Sequence, residues 1–239
     1  MKKPLGIKNY GSIGHLKNSR MGSGDHYIEE NQGKIATNNT LKSNIKIREV
    51  FVQEKLDGSN VGIARIGDRI FPLTRSGYVA DTSPYPQHQE FYRWVMRQQE
   101  RWLNLLKDGE RLCGEWLYQA HGTRYKLQHE PFVAFDIMVK DKRLIYDEFE
   151  NRAKSANLTI PHLIHRGEAL SVEQALKKLG EYGFHGAIDK VEGIVYRVEM
   201  IQDKNNKKKP RQVEFLCKCV RPDKIDGIYL DKNIINNPA

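Results

Sequence analysis

Short apolar runs separated by glycine-containing or polar turns constrain the fold of this chain more than any other feature. Val50, Phe51 and Val52 form one such run, and Val61, Ile63 and Ile66 form a second after Gly58. Runs of this length are typical of β-strands. Further strands are predicted at 112–116, 131–139, 193–200 and 213–220. The sequence therefore favours a sheet-rich core.

Two windows have helical periodicity instead. In residues 90–107 the apolar side chains recur at helical spacing and predict one amphipathic helix packed on the core; they are Phe91, Trp94, Val95, Trp102, Leu105 and Leu106. Ser171 and Gln174 form a capping-box pattern, and Gly183 is the predicted stop of that second helix. We interpret both helices as scaffold and the tryptophans as core residues.

The bulk composition indicates a globular enzyme. The 239 residues are 39% hydrophobic, which is enough to build a core. The sequence has no run of about 18 apolar residues and no signal-peptide pattern, so we expect a soluble cytoplasmic protein without membrane association. Three cysteines do not suggest a disulfide framework, and the C-x-C of Cys217 and Cys219 lacks a second ligand pair for zinc.

The charge balance favours a polyanionic partner. The formal net charge is +9, and each phosphate that a protein neutralises releases condensed counterions. A polar insert at 203–210 fits a hairpin loop whose lysines, Lys207, Lys208 and Lys209, are placed to meet a phosphate backbone. A solvated hairpin tip explains the same lysines nearly as well.

Residues 1–45 read as an irregular segment that flanks a domain spanning 46–239. The segment is rich in Gly, Asn, Ser and Lys and has no sustained periodicity. Within it, residues 14–20 and 24–26 combine polar groups suited to phosphate or metal contacts. A flexible basic arm is an equally good interpretation.

Lys55 lies where a predicted strand runs into a glycine turn. A lysine amine is a nucleophile only when deprotonated, and its ordinary pKa is near 10.4. We expect partial burial and a neighbouring metal cation to lower that pKa. Negative charge that develops on phosphoryl oxygens would require Mg²⁺ and basic side chains nearby.

Six motifs follow one another along the chain: EKLDGSN at 54–60, LTRSG at 73–77, GEW at 114–116, FVAFD at 132–136, VEGIV at 191–195 and FLCK at 215–218. This series resembles the covalent nucleotidyltransferase superfamily of polynucleotide ligases and RNA capping enzymes. The first motif is most similar to that of the RNA ligases typified by the second RNA ligase of bacteriophage T4. The resemblance spans residues 50–221. It implies an α+β nucleotidyltransferase fold, ATP-grasp-like, with mainly antiparallel sheets flanked by helices and an ATP pocket between them.

The resemblance also implies a role for individual residues. Lys55 is the nucleophile that forms lysyl-AMP, Glu54 reads the adenine amine, and Asn60 and Arg75 contact the ribose and the substrate end. Glu115 binds the ribose, Phe135 stacks on the purine, and Lys218 contacts the α-phosphate. Glu192, with Glu115, holds the Mg²⁺ or Mn²⁺ ion. Without the motif series, the same residues read as strand, core or surface positions.

Two positions depart from the family pattern. Leu216 stands where many members have the first lysine of a Lys-x-Lys pair, and Arg221 or a lysine of the 203–210 loop is a candidate replacement. Asp57 stands where the phage group has histidine, and aspartate there is common in DNA ligases and capping enzymes.

The resemblance implies an ATP-dependent RNA ligase, with RNA ends as partners and RNA repair as the process. Only 18 residues follow Arg221, so we expect no OB-fold domain, and sealing is expected to need the N-terminal segment or a protein partner. A nick-sealing DNA ligase and a catalytically silent nucleic-acid-binding module are the alternatives. The joint presence of Lys55, Glu115, Glu192 and Lys218 argues against the silent module.

Overall fold

The computed structural model describes residues 2–38 and 45–236, and within these ranges all ten strands belong to two five-stranded sheets. The first sheet has the order β1-β10-β9-β2-β8 and the second the order β4-β3-β5-β6-β7. All strand pairs are antiparallel except β1 with β10. The strands are β1 (Gly14–His15), β2 (Lys46–Lys55), β3 (Ser59–Ile66), β4 (Arg69–Thr74), β5 (Glu110–Trp116), β6 (Phe132–Val139), β7 (Lys142–Arg143), β8 (Leu163–Gly167), β9 (Gly193–Asp203) and β10 (Gln212–Val220).

Helices flank the two sheets, as the α+β expectation requires, and all the strands predicted from apolar runs are present. The helices are α1 (Glu30–Thr37), α2 (Pro86–Met96), α3 (Gln99–Leu105), α4 (Tyr146–Ser155) and α5 (Val172–Leu179). The segment 204–211 connects β9 to β10, which confirms the predicted hairpin.

Alternation along the strands of the first sheet separates a dry face from a polar face. Residues such as Val52, Tyr196 and Cys217 face a core that α5 covers through Ala175 and Leu179. The intervening residues face the other sheet and are largely polar; they include Gln53, Lys55, Arg197 and Lys218. The cavity described below lies on this polar face.

The predicted helix over 90–107 is wrong as a single element. The chain breaks at Arg97 and Gln98, where Gln98 has a non-helical backbone (φ −126°, ψ 32°), and α2 and α3 result. The indole of Trp102 donates to the carbonyl of Val95 at 3.0 Å, and the same carbonyl accepts from the Gln98 amide at 3.0 Å. The break lets Trp94 and Trp102 pack with ring centroids 5.3 Å apart, so the prediction that the tryptophans belong to the core is confirmed.

The predicted stop of the second helix is also displaced. Ser171 caps α5 by accepting from the Gln174 amide at 3.2 Å, as the capping box predicts. The helix ends earlier than expected, with Gly180 rather than Gly183 after its last turn. Periodicity fixes the last apolar contact at Leu179 but does not distinguish two glycines three residues apart.

The N-terminal segment joins the first sheet through β1, which pairs Gly14 with Cys217 and His15 with Lys218. The predicted boundary at residue 46 falls just after residues 39–44, which lie outside the described ranges, as do residues 1 and 237–239 at the ends. Among the described helices, none is long and apolar enough to cross a membrane.

Candidate active site

Lys55 is the last residue of β2, at the point where the chain crosses from one sheet to the other. It pairs with Gly193, the first residue of β9, and this register brings the preceding residue, Glu192, beside it. Lys55 Nζ lies 2.5 Å from Glu192 Oε2. The side chain of Lys55 is 20% exposed, so the pair opens to solvent at one end only.

Two opposing effects act on the pKa of Lys55. Burial lowers its pKa, but the carboxylates of Glu192 and Glu115 raise it more, and the net direction is upward. Burial raises the pKa of Glu192 to about 7 despite Lys55, and that of Glu115 to about 7 in the same way. Lys55 is therefore paired with carboxylates, and a metal cation bound to them would act in the opposite direction and lower its pKa.

The turn after Lys55 is held against the second sheet. The Gly58 amide donates to Glu115 Oε1 at 3.1 Å. A Cβ on Gly58 would lie 2.6 Å from the Trp116 carbonyl oxygen, so this close approach needs glycine. In the sheet, Asn60 of β3 pairs with Glu115 of β5, which places both on the cavity wall.

Phe135 reaches the cavity because of a bulge in β6. The register between β5 and β6 shifts, so that Cys113 pairs with Asp136 but Gly114 pairs with Ala134. Phe135 is the extra residue, and Phe135 and Asp136 both line the cavity while Ala134 stays in the core. The ring of Phe135 packs edge-on against Tyr10 with centroids 4.9 Å apart.

Glu54 presents a buried acceptor. Its Oε2 accepts from the Phe184 amide at 2.9 Å, and its Oε1 has no hydrogen-bond partner. Burial raises its pKa to about 7. Gly183 lies against Oε1, where a Cβ would approach to 2.1 Å.

These groups surround one cavity of about 460 Å³ between the sheets. All eight residues predicted to bind nucleotide line it: Glu54, Lys55, Asn60, Arg75, Glu115, Phe135, Glu192 and Lys218. Of the described residues that line it, four have a buried polar atom without a hydrogen-bond partner: His15 Nε2, Arg20 Nη1, Glu54 Oε1 and Asn60 Oδ1. Buried polar atoms are rarely left unpaired, so the wall is suited to a polar ligand.

The N-terminal segment forms one side of this cavity, which sequence reasoning only partly anticipated. His15 Nδ1 lies 2.6 Å from Ser19 Oγ and its Nε2 lies 3.1 Å from Asp25 Oδ2. Asp25 Oδ1 in turn lies 3.3 Å from Lys218 Nζ. The sequence marked residues 14–20 and 24–26 as polar, but no local pattern assigned them to the site.

Lys224 is a buried lysine outside the motif series, and it contacts the turn that follows Lys55. Lys224 Nζ lies 3.4 Å from Asp57 Oδ2 and donates to the carbonyls of Gly122, at 2.7 Å, and Lys190, at 3.0 Å. Asp57 also accepts from the Gly122 amide and from Thr123 Oγ1. The aspartate that departs from the phage pattern thus has an anchoring role in this chain.

The residues proposed for extra phosphate or RNA contacts lie elsewhere. The side chain of Arg221 donates to the Gly180 carbonyl and does not line the cavity. Lys207, Lys208 and Lys209 lie in the loop between β9 and β10, at the end of the hairpin opposite Gly193. At about 3.3 Å per residue this end is roughly 30 Å from Lys55, so RNA contact by the three lysines stays a prediction for the outer surface.

A divalent cation fits the carboxylates beside Lys55. In residues 2–38 and 45–236, no group of three or more His, Cys, Asp and Glu side chains is arranged to hold a metal alone. Mg²⁺ commonly binds one or two carboxylates together with water and substrate phosphates, and Glu115 and Glu192 supply such a pair. The unpartnered oxygens of Glu54 and Asn60 match the donors of a nucleoside.

Comparisons with known proteins agree with this geometry. The RNA ligase family model matches residues 48–215, more than half of the chain. An apo variant of Naegleria gruberi RNA ligase has a TM-score of 0.51 and 20% identity, over 77% of this chain and 51% of that one. A variant of the same ligase with ATP and Mn has a TM-score of 0.52 and 20% identity, over 98% and 63%. The chain thus spans about half to two thirds of these structures, whose likeness supports the fold. None of the curated proteins compared with the chain matches it.

Proposed function

Since the chain belongs to the RNA ligase family, we propose that it is an ATP-dependent ligase that joins 5′-phosphate and 3′-hydroxyl ends of RNA through lysyl-AMP. The observation that supports this most is the pair of Lys55 and Glu192, 2.5 Å apart, inside a cavity that all eight expected nucleotide-binding residues line. A lysine so placed is accessible from the cavity and surrounded by carboxylates suited to a metal.

In the first step the amine of Lys55 attacks the α-phosphorus of ATP. One ammonium proton of Lys55 passes to the Glu192 carboxylate before the attack. As the Nζ–P bond forms and the bond to the pyrophosphate oxygen breaks, Nζ gives a second proton to solvent. A Mg²⁺ or Mn²⁺ ion at Glu192 and Glu115 would favour the neutral amine and offset the negative charge on the phosphates. Lys218, which burial and the nearby Lys55 give a lowered pKa, contacts the α-phosphate.

Residues of both sheets hold the base and the sugar. Glu54 Oε1 accepts from the exocyclic amine of adenine, and the ring of Phe135 stacks on the purine. Asn60 and Arg75 contact the ribose and the RNA end. Arg75 is exposed and also lines a second cavity, of about 870 Å³, that adjoins the first. This arrangement gives the RNA a route to the adenylylated lysine.

RNA enters in the last two steps. AMP passes from Lys55 to a 5′-phosphate, and a 3′-hydroxyl then displaces it. Family membership supports RNA as substrate, and the structure of the Naegleria ligase variant with ATP and Mn supports the choice of nucleotide and metal. RNA repair, a cytoplasmic location and help from a protein partner are further parts of the proposal that rest on the sequence alone.

Labelling with [α-³²P]ATP and Mg²⁺ tests the first step. We expect the unaltered chain to acquire a covalent label and Lys55→Ala to acquire none, because no other amine replaces Nζ beside Glu192. Lys204→Ala, at the far end of β9, is the matched control and should label normally. Equal labelling of Lys55→Ala would refute the assigned nucleophile.

A substrate panel separates the alternatives. Nicked RNA, nicked DNA and a pre-adenylylated RNA are offered to the labelled protein. Sealing of RNA well above DNA agrees with the proposal, and preferential sealing of DNA would favour a nick-sealing DNA ligase. Nucleic-acid binding by a protein that never labels would favour the silent module.

A further inference from the structure

One edge of the nucleotide cavity carries less positive charge than a triphosphate calls for. Three residues of β10 face the cavity, Leu216, Lys218 and Val220, and Lys218 is the only charged residue among these three. ATP brings several negative charges to this edge. Further cations at this edge would therefore have to come from side chains outside β10.

Arg20 is such a side chain. It follows β1, and its backbone amide donates to the Val220 carbonyl at 3.1 Å. The neighbouring Ser19 Oγ accepts from the Val220 amide at 2.9 Å and lies 2.6 Å from His15 Nδ1. These contacts fix Arg20 on the end of β10, next to Val220, one of the two apolar positions.

The guanidinium of Arg20 can still donate a hydrogen bond to another anion. Its Nη1 is buried and lies 3.1 Å from Asp226 Oδ1, yet makes no hydrogen bond of good geometry. The side chain of Asp226 is 56% exposed, so water can solvate that carboxylate when Arg20 turns to another anion.

Arg20 is also near the reacting lysine. Asp226, its partner, lines the cavity together with Glu192. Glu192 in turn lies 2.5 Å from Lys55 Nζ. Arg20, Asp226, Glu192 and Lys55 all line the same cavity.

We propose that Arg20 is a phosphate-binding residue, which exchanges Asp226 for the phosphates of ATP and so supplies from the N-terminal segment the cation that Leu216 and Val220 do not provide. This inference rests on the proposed function. It assigns the N-terminal segment to the nucleotide site, and His15 and Ser19 act as positioning residues for Arg20.

The test measures binding without chemistry. In a Lys55→Ala background, which cannot form lysyl-AMP, calorimetry gives the Kd of Mg²⁺-ATP and of adenosine. We expect Arg20→Ala to raise the Kd for ATP about 10- to 100-fold, as for loss of a hydrogen bond to a charged group, and to leave adenosine binding unchanged. Arg20→Lys should recover part of the loss. Lys17→Ala, whose side chain is 79% exposed on the same segment, should bind both ligands normally.

A double variant separates phosphate contact from simple neutralisation of Asp226. If Arg20 only offsets that carboxylate, Arg20→Ala with Asp226→Asn will regain the ATP affinity of Asp226→Asn alone, and the inference fails. It also fails if ATP binding survives Arg20→Ala or if ATP and adenosine are weakened equally. Persistent selective loss of ATP in the double variant supports it. If the unaltered chain does not label, the proposed function fails. The inference about Arg20 is then still tested, because calorimetry measures ATP affinity without labelling.

Discussion

At the scale of single residues, Gly183 leaves room for the Glu54 carboxylate, which we propose accepts from adenine. Its φ is +56°, and a Cβ there would lie 2.1 Å from Glu54 Oε1. We predict that Gly183→Ala displaces the Glu54 carboxylate and lowers the rate of lysyl-AMP formation about 10-fold or more, since the purine loses its partner. Labelling at subsaturating ATP measures this.

Gly180→Ala is the control for that substitution. Gly180 also has a positive φ, +72°, but a Cβ there meets nothing within 4 Å. Its replacement should cost about 1 kcal/mol of stability from backbone strain and leave labelling unchanged. Similar labelling defects in both variants would mean that strain, not contact with Glu54, explains the loss.

Motif residues could be predicted from sequence because each is marked by its neighbours. Glu54, Lys55, Glu115 and Glu192 stand in short motifs whose order along the chain identifies them. Arg20 could not be assigned in this way, since a two-residue strand, β1, brings it to β10 from about 200 positions away. The effect of the neighbouring carboxylates on the Lys55 pKa could not be predicted from the sequence either. It depends on Glu192, which only the register of β2 and β9 places alongside.

At the scale of elements, the turn from β2 to β3 depends on Lys224. Its ammonium is buried against Asp57 and three oxygens of neighbouring segments. We predict that Lys224→Met lowers the free energy of unfolding by about 3 kcal/mol, because Asp57 is left as a buried charge without its cation. Urea denaturation measures the change.

Lys204→Met provides the comparison for that measurement. Lys204 is exposed at the start of the β9–β10 loop, so its replacement should change stability by less than about 0.5 kcal/mol. Labelling should slow in Lys224→Met even where the protein is folded, since the same turn carries Lys55. A destabilised Lys224→Met that labels at the normal rate would show that the anchor serves stability alone.

Strands were easier to predict than helix limits. In β9 and β10 one face packs into the apolar core and the charged side chains lie on the other face. This alternation is visible in the sequence. The break between α2 and α3 depends on the Trp102 indole bonding to Val95, a contact that helical periodicity does not encode. The bulge at Phe135 likewise depends on the register between β5 and β6, which the sequence of one strand does not show.

At the scale of the whole molecule, a buried ionic contact joins the two sheets. Arg197 of β9 lies 2.6 Å from Asp136 of β6 and 2.8 Å from Glu199, and all three side chains are almost fully buried. We predict that Arg197→Ala lowers the free energy of unfolding by about 3 kcal/mol, because Asp136 and Glu199 each lose a buried counterion and keep only the partly exposed Arg143 and Arg211. Urea denaturation again gives the value.

Lys154→Ala removes an exposed ion pair for comparison. Lys154 is 64% exposed and contacts Glu150 one helical turn earlier in α4. Such a pair contributes about 0–1 kcal/mol. Arg197→Ala should therefore lower the free energy of unfolding several-fold more than Lys154→Ala. A comparable loss in both would show that the sheets do not depend on Arg197.

The four unpartnered atoms of the cavity wall also affect stability. His15 Nε2 and Arg20 Nη1 each lie 3.1 Å from a carboxylate without a hydrogen bond, and Glu54 Oε1 and Asn60 Oδ1 have no hydrogen-bond partner, so these buried atoms cost folding free energy. A bound nucleotide that pairs these atoms regains that cost as part of its binding free energy, and at a concentration 100 times Kd it stabilises the folded chain by about 2.7 kcal/mol in total. The free energy of unfolding is therefore expected to rise with the concentration of nucleotide around the protein.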